Sequence, residues 1–148
     1  MSLQTQVMDQ MKAAMKSKDT VALEALRALK SAFLLANTSG GNVSLTEADE
    51  VKIVQKLVKQ RKDSAAIFVE QGRNDLAEPE LAQAAVLEKF LPEQLTEEEI
   101  RSIIEKLIEQ VGASSMKDMG KVMGMASKQL AGKADGKTIS TIVKSLLS

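Results

Sequence analysis

Cysteine, histidine, tryptophan and tyrosine are all missing from this chain. Without cysteine there is no disulfide, no thiolate nucleophile and no cysteine-ligated metal. Without histidine the commonest general base and metal ligand near neutral pH is gone. The aromatics reduce to Phe33, Phe68 and Phe90, too few to stack a row of bases. No apolar run approaches the roughly 18 residues of a membrane span, and none at the N-terminus resembles a signal peptide. Charge of one sign is not in excess either: 20 basic residues face 20 acidic ones. A broadly basic nucleic-acid binder is excluded, whereas a local basic patch is not. These absences remove most of the catalytic toolkit, leaving open a carboxylate- or lysine-based enzyme, and predict a soluble cytoplasmic chain with no metal, no cofactor and no membrane partner.

What is present is helical periodicity. Ser2 is placed to cap a helix over about Leu3–Lys18, with Leu3, Val7, Met11, Ala14 and Met15 at helical spacing. Asp19 or Thr20 caps a second, carrying Leu23, Leu26, Ala28, Leu29, Phe33 and Leu34, and the polar run Asn37-Thr38-Ser39-Gly40-Gly41-Asn42 reads as the loop that ends it. Thr46 with Asp49 forms a capping box for a long helix over Glu47–Gln71, with Val51, Val54, Leu57, Val58, Ala65, Phe68 and Val69 as its stripe. Gly72 stops it. Asn74 or Asp75 offers a start for a fourth helix that runs to Phe90, and Pro79 blurs that start, which is placed between Asp75 and Pro79.

Leu91-Pro92-Glu93-Gln94-Leu95 is the expected domain boundary. Thr96 with Glu99 caps a fifth helix, whose Ile100, Ile103, Ile104, Leu107, Ile108 and Val111 share a face and which Gly112 ends. Ser115 caps a sixth, about Met116–Leu130, that Gly132 ends. Asp135 caps a seventh over Gly136–Leu147. No segment alternates as a strand does. The expectation is all-α: an N-terminal domain of about four helices over residues 1–92, then a small three-helix domain over residues 93–148.

The chemistry-bearing pattern lies in that tail. Projected at about 100° per residue, Lys117, Lys121 and Lys128 of helix six fall within about 40° of one another, opposite Met119, Val122, Met123, Ala126 and Leu130. Gly124 sits among the lysines and Gly120 at their edge. A glycine inside a helix costs about 1 kcal/mol against alanine, so these two need a reason. Either they let helix six pack closely on helix five or seven, or they leave room for an external ligand. In helix seven, Lys137 and Lys144 share a face with Ser140 and Thr141. Lysines and hydroxyls are groups that contact phosphates, and the starts of helices six and seven add oriented N–H donors. Asp135 competes there with an incoming phosphate.

Charge is split along the tail. Residues 93–110 carry six acids and two bases, and residues 111–148 carry six lysines against Asp118 and Asp135. A neutral chain can thus present a basic end. Lysines opposite a core face are also what any soluble helix shows, and spacing alone does not choose between the two. Lys52, Lys56, Lys59 and Lys62 share a flank of helix three with Asp63 and Glu70, which reads as a solvated, partly ion-paired face. Glu97-Glu98-Glu99 is explained by the helix dipole, not by a metal. Ser114-Ser115 has no base to activate it.

Lys59-Gln60-Arg61-Lys62-Asp63-Ser64, Leu91-Pro92-Glu93-Gln94-Leu95, Gly112-Ala113-Ser114-Ser115, Asp118-Met119-Gly120-Lys121-Val122-Met123-Gly124 and Gly132-Lys133-Ala134-Asp135-Gly136 together resemble the bacterial YqeY-like proteins. The C-terminal half also resembles the tail domain of GatB, a subunit of glutamine-dependent tRNA amidotransferase. The resemblance implies an all-helical fold and a tRNA-linked role, because the amidotransferase tail contacts tRNA. A YqeY-like domain appended to glutaminyl-tRNA synthetase helps that enzyme hold tRNA. The family's label is carbon–nitrogen ligase with glutamine as amido-N-donor. This chain lacks the catalytic cradle of GatB, and no motif matches an amide-activating or ATP-binding site.

The expected function is therefore a non-catalytic tRNA-binding adaptor that works beside an aminoacyl-tRNA synthetase or an amidotransferase. Its candidate RNA contacts are Lys117, Lys121, Gly124, Lys128, Lys133, Gly136, Lys137 and Lys144. The alternatives are a protein–protein interaction module and an accessory to carbon–nitrogen ligase activity.

Overall fold

The computed structural model describes residues 2–39 and 45–148. Among these the chain is all-helical: α1 (Leu3–Ser17), α2 (Thr20–Ser39), α3 (Glu47–Glu70), α4 (Asn74–Glu88), α5 (Glu97–Val111), α6 (Met119–Gln129) and α7 (Gly136–Leu147), with a 3-10 turn, Met116–Asp118, leading into α6.

Side-chain caps start most of these helices by satisfying N–H groups that the first turn leaves unbonded. The Ser2 hydroxyl accepts the Thr5 N–H at 3.2 Å, and Asp19 accepts that of Ala22 at 3.0 Å. Thr46 and Asp49 bond reciprocally, at 3.1 and 3.0 Å. Thr96 accepts from Glu99 at 3.2 Å, and Asp135 from Thr138 at 2.6 Å. At the far end of α5, Gly112 turns left-handed with φ 67°. Its N–H bonds to the Glu109 carbonyl at 3.3 Å, and the Ala113 N–H to that of Ile108 at 3.1 Å. This is the Schellman pattern, which favours glycine because it carries no Cβ.

Three boundaries differ from expectation. The expected loop at Asn37–Ser39 is the last turn of α2, where the Thr38 hydroxyl bonds back to the Leu34 and Leu35 carbonyls at 3.1 Å each. The Gly40-Gly41-Asn42 part of that loop lies outside the described residues. The fourth helix begins at Asn74, earlier than expected, with Pro79 inside it at the cost of one backbone bond. Side-chain bonds tie this helix to α3: the Arg61 Nε donates to the Gln83 Oε1 at 3.0 Å, and Lys62 pairs with Glu88. The sixth helix starts as a 3-10 turn, and Ser115 gives it no side-chain cap. The Asp118 carboxylate instead accepts the Ser114 N–H at 3.1 Å.

The chain divides into two compact units, Met1–Leu91 and Pro92–Ser148. In the first, Val7, Leu26, Leu29, Phe33, Val54 and Leu87 form the centre of one apolar cluster. Met15, Leu34 and Val69, assigned by periodicity to the buried stripes, are exposed. Each lies one residue past a better-placed neighbour, about 100° around the helix. Glu50 is buried, and its carboxylate accepts the Gln4 N–H at 3.3 Å, placing a negative group at the start of α1.

The second unit has its own cluster, in which Ile100, Ile104 and Leu107 of α5 meet Val122 and Ala126 of α6, Leu130, and Ile139 and Val143 of α7. Each fully buried aliphatic side chain contributes about 1.5–3 kcal/mol. The segment before α5 is bonded to the turn after α6. The Leu95 N–H donates to the Lys133 carbonyl at 3.0 Å, and the Gln94 side-chain amide donates to the Gly132 carbonyl at 2.7 Å. Gly132 reverses the chain there with φ 78°.

Candidate nucleic-acid interface

α6 buries Val122 and Ala126 and half-buries Met119 and Met123, as its periodicity requires. Its opposite side carries Gly120, Lys121, Gly124, Ser127 and Lys128, all exposed. A Cβ built on Gly120 or Gly124 meets nothing within 4 Å among the described residues. Close packing of α6 on α5 or α7 is therefore not what these glycines provide, and that expectation is corrected. What they leave is a bare strip of backbone between lysines.

Lys117 is exposed but lies in the 3-10 turn, off the regular α6 spiral. Lys117 aligns with Lys121 and Lys128 only on one continuous α-helix. A 3-10 turn winds by about 120° per residue, so that alignment holds only for Lys121 and Lys128. Lys133 is exposed in the turn after α6, its carbonyl taken by Leu95. Gly136 opens α7, with open space about it. Lys137 and Lys144 are exposed on α7. The start of α7 is already occupied, because the Asp135 carboxylate holds the Thr138 N–H. No capping side chain holds the start of the 3-10 turn.

None of these six lysines is ion-paired with an acid among the described residues. The contrast with α3 is direct. There Lys59 pairs with Asp63 at 2.7 Å and Lys62 with Glu88, giving the solvated, partly ion-paired flank expected from the sequence.

Of the eight candidate residues, Lys137 lines a cleft of about 290 Å³ between α5 and α7. Beside it stand Arg101, Thr138 and Ser145, which sequence reasoning did not single out. Arg101 is the one arginine after Arg73, and that rarity was the available signal. A tally along the chain assigns it to the acidic stretch, whereas the fold brings it to the lysine-bearing helix. Among the described residues no group of three or more acidic side chains is placed to hold a metal ion, and no helix is long and apolar enough to cross a membrane.

The family model described as Yqey-like protein matches residues 4–147. The chain belongs to the YqeY-like family. Among curated relatives, this YqeY-like chain is 33% identical over 100 residues to a glutamyl-tRNA(Gln) amidotransferase subunit of Thermococcus gammatolerans. That match covers 65% of the chain but only 16% of the amidotransferase polypeptide. The chain is 32% identical over 120 residues to the mitochondrial protein "altered inheritance of mitochondria protein 41" of Clavispora lusitaniae, covering 81% of the chain and 69% of the relative. The protein of that name in Pyrenophora tritici-repentis is 29% identical over 126 residues, covering 84% and 68%.

Proposed function

We propose that this YqeY-like chain is a non-catalytic tRNA-binding adaptor that assists a tRNA-charging or amidating enzyme. The observation that carries the reading is the face of the second unit formed by Lys121, Gly124 and Lys128, exposed and without an ion-paired acid among the described residues. The bare backbone at Gly120 and Gly124 lets a phosphate strand approach more closely than any side chain would allow. Lysines on either side supply charge without reading sequence. The likeness to an amidotransferase polypeptide named for tRNA supports the choice of RNA. On this reading the chain works in the cytoplasm and needs no metal, cofactor or membrane. The mitochondrial names of two relatives make cell fractionation the direct check on the compartment.

Band-shift titration with total tRNA at about 50 mM salt tests the RNA contact, because phosphate binding is strongest at low salt. Binding is expected to weaken steeply as salt rises, and replacing Lys117, Lys121 and Lys128 with Glu is expected to abolish it. Absence of binding at low salt, or indifference to those substitutions, would falsify the reading.

One observation favours the interaction-module alternative. Leu34 and Leu35, at the end of α2, are 63% and 69% exposed. Capture of partners from lysate before and after ribonuclease separates the two: partners that survive ribonuclease favour protein contact. As a ligase accessory, the pure chain is expected to show no glutamine-dependent amidation of charged tRNA.

A further inference from the structure

The cleft between α5 and α7 has a composition of its own. α5 contributes Glu97 and Arg101, one turn apart on the same side of the helix. α7 contributes Lys137 and the hydroxyl groups of Thr138, Thr141 and Ser145. Ile142, only 6% exposed, forms an apolar floor that continues into the core cluster.

Arg101 and Lys137 are both exposed, and neither is ion-paired with an acid among the described residues. Arginine presents a planar fork that matches two phosphate oxygens, and lysine adds a point charge. The Thr141 hydroxyl donates to the Lys137 carbonyl at 2.9 Å. Its hydrogen is thus committed and it offers the cleft only lone pairs. Glu97, an acceptor when ionised, stands on the α5 wall. A bare anion would use Arg101 and Lys137 and be repelled by Glu97. A ligand with a phosphate at one end and hydrogen-bond donors at the other satisfies both halves. At about 290 Å³ the cleft lies just below the range for ligand pockets, roughly 300–1,000 Å³, and is too small for a duplex to enter.

We infer that this cleft holds a single nucleotide unit. Its phosphate lies on Arg101 and Lys137, its sugar hydroxyls or base N–H groups face Glu97, and an apolar edge rests on Ile142. Such a unit comes either from the unpaired end of an RNA or from a free nucleotide. In the first form the inference rests on the RNA reading above and deepens it: the α6 lysines hold the backbone while the cleft takes one unstacked residue, the kind of nucleotide that proteins recognise in RNA.

The experiment uses the full chain, Arg101→Ala and Arg101→Lys. Arg101 is exposed and outside the core, so an unchanged melting temperature is the control for folding. Amide spectra are recorded with each of the four nucleoside monophosphates, with the matching nucleosides and with inorganic phosphate. A monophosphate is expected to shift amides at the start of α5 and along residues 137–145. Arg101→Ala removes these shifts, Arg101→Lys keeps part of them, and nucleoside or phosphate alone moves them less. In parallel, an RNA stem with a short unpaired 3′ end is compared with a blunt stem. The overhang is expected to bind about fivefold tighter or more, as loss of a charged hydrogen bond allows. Arg101→Ala erases that difference, whereas Lys121→Glu with Lys128→Glu weakens both stems alike.

Unmoved cleft amides together with no advantage for the overhang overturn the inference, and the RNA reading survives if both stems still bind. Shifts as large with phosphate alone, or insensitive to Arg101→Ala, also overturn it. Nucleotide binding at the cleft with no RNA binding at all supports a free-nucleotide site and sinks the RNA reading instead.

Discussion

Gly120 and Gly124 sit in the helix that bears the candidate interface, with ordinary helical backbone and, among the described residues, nothing within 4 Å of an added Cβ. Alanine at either position is expected to stabilise the chain by about 0.5–1 kcal/mol, because it removes unfolded-state freedom at no steric cost. Urea unfolding measures this, and a loss of stability would show that the glycines serve the fold after all. On the adaptor reading the same two alanines weaken RNA binding, so stability and binding move in opposite directions. Gly112 is the counter-case: with φ 67°, alanine there is expected to cost about 1–2 kcal/mol. A residue-scale pH effect belongs to Asp49. The Thr46 backbone N–H, then its side chain, hold the Asp49 carboxyl below the usual carboxylate range. The folded value lies below the unfolded one, so its contribution is present above about pH 4 and is lost as pH falls further through the folded value. Melting temperatures of wild type and Asp49→Asn should therefore differ at neutral pH and converge in acid.

Caps decided which helix ends were legible. Where one side chain meets one orphan N–H, as at Ser2, Thr46, Thr96 and Asp135, the sequence determines the start to within a residue. Removing such a cap with Thr96→Ala is expected to cost about 1 kcal/mol, read by thermal unfolding. Ser115 misled because a serine in cap position does not dictate whether the first turn is 3-10 or α, and Asp118 bonds the preceding loop instead. Asn37–Ser39 misled because polar residues also occupy a helix's last turn, where the Thr38 hydroxyl bonds back to the Leu34 and Leu35 carbonyls. At the candidate interface, the lysines of α6 could be read from spacing, since a solvent face needs only the helical repeat. Arg101 could not. Apart from Glu97, its neighbours in the cleft come from α7, well over a helix length further along the chain, and no local pattern encodes that meeting.

Each unit carries its own apolar cluster. The second is small, and a chain of roughly 60 residues buries only about 60% of its unfolded surface, which leaves little reserve. Ile104→Ala, at a position with no exposed surface, is expected to cost about 2–5 kcal/mol and to abolish amide protection across α5, α6 and α7. Persistence of that protection would mean that other contacts hold the unit together. The bonds from Gln94 to Gly132 and from Leu95 to Lys133 bear on where this unit can be cut. They make the residues just after Pro92 a sewn hem, not a tether. A protein engineer who excises the tail at Thr96, the first residue of the helical pattern, would unpick that seam and leave the α6–α7 turn ragged. Cutting before Pro92 keeps the hem, and the longer fragment should melt at the higher temperature.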